Sequence, residues 1–304
     1  MLKPLIPAVA LVLLLAGCSS SQPPASSAPA PTAAAAASAS AAPAGSTPAA
    51  AASAAPVAAT STALAPASAA PAASAPATVT SGGGTPVLAP ADTGQWVEGK
   101  NYFRIEPAVP TDRADHVVVT EVFSWGCPAC NQFQPMADVI RKSMPAYVHW
   151  QYLPAAFIPP EDWPTFQRAY YTAQALGLDN PTTHDAMFKA IWTPGGPLNT
   201  YAGLGTSQPR VKQHLPSIAD VAKFYARYGA DPRTFEATAD SFAIRAKMKR
   251  ADQLIKAYGV DSTPTLVVNG AYRLDVLSAG GLLQTQELVH YLAQKEAAAM
   301  HLKQ

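Results

Sequence analysis

The chain has 304 residues, and residues 19–91 carry no charge and no aromatic ring; of these 73 residues, 31 are Ala and 12 are Pro. A segment with so few large apolar side chains cannot offset an ordering entropy of about 1–2 kcal/mol per residue, which excludes a folded domain there. Of 21 basic and 20 acidic side chains, all but Lys3 lie from Asp92 onward; that even balance gives no basic face, argues against nucleic acid as a partner, and leaves length for one globular domain.

Residues 1–17 combine a charged start at Lys3, an apolar run over 11–15 and the small-residue end Ala16-Gly17, the pattern of a secretory signal. Pro4 and Pro7 leave an uninterrupted run about half as long as the roughly 20 apolar residues of a spanning helix. Leu15-Ala16-Gly17-Cys18 resembles the lipobox of bacterial lipoproteins. That resemblance implies cleavage before Cys18, lipidation of Cys18 and a membrane anchor. Ser19, where an Asp would retain the protein in the inner membrane, points to the outer membrane. The competing reading is a signal peptide with an incidental cysteine.

Residues 18–95 are then expected to be the lipidated cysteine and a disordered Ala/Pro/Ser-rich tether. Proline recurs too often for long helices, and Gly82-Gly83-Gly84 supplies a flexible joint. As a coil, such a tether spans about 45–50 Å on average, and about 220 Å in extended polyproline form. A drifting spacer of no selected length is the alternative. The folded domain is expected over 96–304, beginning near Trp96.

Within it, residues 117–123, Val-Val-Val-Thr-Glu-Val-Phe, predict a strand buried on both faces. Glu121 inside that strand faces a large desolvation cost if charged, so its pKa is expected to rise and fit it for proton transfer; a strand-end Glu reaching solvent is the alternative. Next comes Cys127-Pro128-Ala129-Cys130, followed by Phe133, Met136, Val139, Ile140 and Met144 at helical spacing. Pro128 suits the first helical position, so Cys127 sits where a helix begins. Residues three apart on a helix lie close enough for a disulfide. The helix N-terminus and its unpaired N–H groups favour thiolate over thiol at the first sulfur. A Cys127 pKa near 4.5 would stabilise the reduced form at pH 7 by about 3.4 kcal/mol, roughly 75 mV toward an oxidant. With Cys18 lipidated, no other cysteine remains among the three. Three further readings of the pair are a zinc site, a structural bridge and coincidence. Zinc needs about four ligands, while His116, His149, His184, His214, His290 and His301 are scattered, and no metal is expected. A bridge across two residues closes too small a loop to restrain the unfolded chain much.

Further on, a strand near 148–153 precedes four stretches with helical apolar spacing, 166–176, 184–191, 218–228 and 242–258, before a strand over 265–268 and a last helix over 283–292. Residues 193–217, rich in Gly and Pro, predict an added loop without an evident purpose.

Phe123-Ser124-Trp125-Gly126-Cys127-Pro128-Ala129-Cys130, together with residues 260–270 around Thr263-Pro264, resembles the DsbA-type thiol:disulfide oxidoreductases of the bacterial envelope. The likeness covers about 102–294. It implies an α/β thioredoxin fold with an inserted all-helical domain at about 158–258. It implies Cys127 and Cys130 as the redox pair, a cis peptide at Thr263-Pro264 beside it that binds substrate backbone, and Glu121 as a buried partner of Cys130. It also implies donation of the Cys127–Cys130 disulfide to reduced exported proteins in the periplasm, no cofactor, and reoxidation by a DsbB-like, quinone-coupled membrane oxidase. By itself, Ser262-Thr263-Pro264 also fits a trans bond opening a strand.

The chain departs from the family pattern at three places. Ala129 stands where strongly oxidising members carry His, Gln134-Pro135 replaces acidic residues, and Thr263 replaces the frequent Val. Two other functions therefore stay open: an isomerase or reductase kept in the dithiol form, and a non-catalytic envelope lipoprotein acting as scaffold or holdase.

Overall fold

The computed structural model describes residues 84–304. The signal peptide, Cys18 and nearly all of the expected tether lie outside the described residues. Upstream of Trp96, Val87 is buried; its N–H donates to Leu302 O at 2.9 Å, and Gln304 N–H donates to Thr85 O at 2.9 Å. The packed chain thus begins ahead of Trp96, because Val87 is buried and paired with Leu302 near the other end of the described residues.

In chain order the strands are β1 (Phe103–Arg104), β2 (Val117–Phe123), β3 (Val148–Pro154), β4 (Tyr201–Ala202), β5 (Arg210–Val211), β6 (Thr265–Val268) and β7 (Tyr272–Leu274). The helices are α1 (Pro128–Ser143), α2 (Trp163–Ala175), α3 (Pro181–Trp192), α4 (Ile218–Ala226), α5 (Pro232–Ala239), α6 (Phe242–Ala257), α7 (Val276–Ala279) and α8 (Leu282–Ala299), with a 3-10 turn at Pro159–Glu161.

Five strands form one sheet in the order β1-β7-β6-β2-β3, and β4 pairs with β5 apart from it. β2 runs parallel to β3, with Glu121 opposite Tyr152, and antiparallel to β6, with Glu121 opposite Leu266. All seven residues of β2 are buried, as expected of a run apolar on both faces. One face of the sheet joins Val117, Val119, Leu266 and Val268 to α1 and α8 through Phe133, Ile140, Leu288 and Leu292. The second core joins Val122 and Val267 to the helices between β3 and β6, through Phe166, Met187, Val221 and Ile255. Apart from the β4–β5 hairpin, the regular structure between β3 and β6 is helical.

Candidate active site

α1 starts where β2 ends. Ser124 O accepts from Cys127 N–H at 3.0 Å, and Ser124 Oγ accepts from Gly126 N–H at 3.1 Å. Cys127 is the N-cap in extended conformation, with Pro128 following it. A cap side chain accepts from the unpaired N–H groups of the first turn, and here the acceptor is sulfur: Cys127 Sγ takes the Cys130 N–H at 3.3 Å. On the other side Cys127 Sγ lies 3.5 Å from Thr263 O, and the Thr263–Pro264 bond is cis. Helix start and proline turn therefore meet at one sulfur. Both cysteines are free thiols, 4% and 0% exposed.

The two sulfurs differ in acidity. Cys127 is lowered to about 6, chiefly by the hydrogen bond from the Cys130 thiol, which overcomes the opposing effect of burial; the N–H groups of Cys130 and Ala129 add to it. Cys130 is pushed well up, first by burial, then by the hydrogen bond and charge of Cys127 and by Glu121. A pKa of about 6 stabilises the reduced state at pH 7 by about 1.4 kcal/mol, roughly 30 mV. That is less than half of the effect at 4.5, in keeping with Ala129, which offers only its backbone N–H.

Glu121 is 1% exposed, and its Oε2 has no hydrogen-bond partner. Strand alternation puts it on the face of Val117 and Val119, the face that α1 covers. Burial first, then the charges of Cys127 and Asp138, raise its pKa to about 8. The carboxyl is thus neutral and buried at pH 7, not at a strand end in solvent. Cys127, Cys130 and the Thr263–Pro264 turn meet at one place, and the charge of Glu121 bears on Cys130.

Several neighbours carried no signal that single-sequence reading could use. A Cβ on Gly126 would stand 2.7 Å from Trp163 Cδ1, so the first residue of α2 closes over the turn. Trp192, the last residue of α3, donates its Nε1–H to Trp125 O at 2.8 Å. His184 is buried and stacked on Tyr152 at 4.2 Å. Among the described residues no group of three or more His, Cys, Asp or Glu is disposed to hold a metal ion.

No protein-family model matches the chain. Thiol:disulfide interchange protein DsbA of Pseudomonas aeruginosa is 34% identical over 211 residues, 69% of this chain and 90% of that protein. The chain belongs to the DsbA family. The crystal structure of Pseudomonas aeruginosa DsbA matches 68% of this chain and 97% of that one, with a TM-score of 0.57 and 33% identity. DsbA from Xylella fastidiosa matches 67% of this chain and 99% of that one, at a TM-score of 0.57 and 27% identity. Like its DsbA relatives, the chain is a protein-disulfide oxidoreductase. Its five-stranded sheet with helices between β3 and β6 is a thioredoxin fold with a helical insertion.

Proposed function

We propose that this DsbA-family protein acts in the periplasm as a dithiol oxidase, donating a Cys127–Cys130 disulfide to exported proteins. The asymmetry of the two sulfurs carries this reading. A thiolate with a pKa of about 6 is a good leaving group, while the buried neighbour, held protonated, does not compete for external disulfides. In the resting oxidised enzyme a substrate thiolate attacks Cys127 Sγ. The Cys127–Cys130 bond breaks and its electron pair leaves on Cys130. A second substrate thiolate then attacks the substrate sulfur of the mixed disulfide, and Cys127 leaves as thiolate. Two electrons have moved from the substrate pair to the enzyme pair.

Glu121 is proposed to exchange a proton with Cys130 whenever that sulfur changes charge. Thr263, beside Pro264, presents its backbone to an extended substrate by strand addition. We further propose that residues 1–17 export the chain, that lipidated Cys18 holds it at the outer membrane, and that a DsbB-like, quinone-coupled oxidase of the inner membrane removes the two electrons. Equilibration with glutathione redox buffers tests the direction of transfer. A potential well above the glutathione couple, with rapid oxidation of reduced peptides, is expected; a potential below it would assign the dithiol reductase role instead.

A further inference from the structure

The stretch 193–217 returns to the reacting sulfur. Leu198, Asn199 and Thr200 are buried; Asn199 Nδ2 donates to Ile191 O at 2.9 Å, and Leu198 N–H donates to Ala190 O at 3.1 Å. These bonds fasten the base of the β4–β5 hairpin to the end of α3. The next residue, Tyr201, opens β4 and lays its ring on Trp192, centroids 5.5 Å apart and planes at 30°. Trp192 is itself bonded to Trp125 O, two residues ahead of Cys127. Glu161 approaches from the other direction. It ends the 3-10 turn after β3, with Ala155 N–H bonded to Phe123 O at 2.7 Å and Trp163 closed over Gly126.

Two parts of the helical insertion thus reach the turn 124–127, Trp192 at Trp125 O and Trp163 at Gly126. Burial first, then a hydrogen bond and charge from Glu161 and the charge of Cys127, keep the Tyr201 phenol protonated, so the three groups act on one another. Trp192, Tyr201 and Glu161 are all half-buried, each with part of its surface open to an incoming chain. Two aromatic faces beside a carboxylate attract a cation by ring quadrupole and by charge, and an acidic side chain is repelled there.

We propose that Trp192, Tyr201 and Glu161 form a substrate subsite that selects chains carrying Arg or Lys next to the reacting cysteine and disfavours Asp or Glu there. The inference rests on the exchange reaction proposed above, with Cys127 as the attacked sulfur. It also gives the 193–217 stretch a role, since that stretch carries Tyr201 to its place on Trp192.

The test uses peptides with one cysteine pair that differ only in whether Arg, Gln or Glu flanks the reacting cysteine. Exchange rates are followed in both directions, oxidised enzyme with reduced peptide and reduced enzyme with oxidised peptide, each normalised to the rate with dithiothreitol or its disulfide. The preference is therefore read whichever direction the enzyme favours, and a wrong net direction is distinguishable from a missing subsite. The wild type is expected to favour Arg over Glu by about tenfold, and Tyr201→Ala and Glu161→Gln each to bring that ratio within about twofold. A merely structural hairpin would slow all three peptides alike and leave the ratio untouched. Equal rates for the three peptides in the wild type, or an unchanged ratio in both variants, would overturn the proposal.

Discussion

Glu121 is an expensive residue to keep where it is. Its folded pKa of about 8 lies above the ordinary 4.5, so the sign of its pH effect follows directly. Below 4.5 both states are protonated. Between 4.5 and 8 the unfolded chain releases a proton that the native one retains, and stability falls as pH rises through that window. Glu121→Gln keeps the shape and cannot ionise. We expect it to stabilise the reduced protein by about 1–3 kcal/mol at pH 8, to flatten this slope, and to slow release of the mixed disulfide by about tenfold or more. Thermal melts across pH and quenched single turnovers check the two halves. Stability gained with rate lost is the signature of a group retained for proton transfer, whereas unchanged release rates across pH would remove that role. Cys127 has the opposite sign. With its pKa lowered to about 6, the stability that its thiolate gives the reduced form is present in alkaline solution and is lost as pH falls through 6.

The turn between β2 and α1 shows how closely its neighbouring elements are fitted. Gly126 has room for no side chain, because Trp163 at the start of α2 occupies the space. Gly126→Ala is expected to cost about 1–3 kcal/mol by overpacking and to lower the rate of exchange by moving the Cys127 cap; equilibrium denaturation measures the first effect and dithiothreitol oxidation the second. Much of this frame was legible in advance. The apolar run 117–123, the cysteine motif, and helical spacing near 166–176, 184–191, 218–228 and 242–258 correspond to β2, the start of α1, and α2, α3, α4 and α6. Glu121 was legible as a carboxylate in an apolar strand. α5 was not, since only Phe235 and Ala239 of its eight residues are buried and a short helix gives no period to count. Neither was the β4–β5 hairpin, whose two-residue strands are fixed by Leu198, Asn199 and Thr200 docking on α3. The Trp163 lid and the Trp192–Tyr201 stack come from contacts distant in sequence, which periodicity does not encode.

At the scale of the whole molecule, the folded part offers a redox site on residues 84–304, and the proposed lipid on Cys18 and the tether that follows it decide where that site can travel. An anchored enzyme serves substrates and a reoxidising partner only within reach of its linker. Removing residues 33–77 while retaining Cys18 is expected to leave oxidation of soluble peptides intact and to leave the enzyme reduced in cells, because it no longer meets its oxidase. Trapping thiols with an alkylating agent reads that redox state, and a normally oxidised pool after the deletion would remove the reason for the tether. Beneath all of this lies the charge on one sulfur. Acid titration of the reduced protein, followed through the ultraviolet absorbance of its thiolate, measures that charge directly. A midpoint near 6, lost in Cys127→Ser, is expected if the helix start and the Thr263 turn hold the sulfur as thiolate; a midpoint near the ordinary value of 9.0 would refute it.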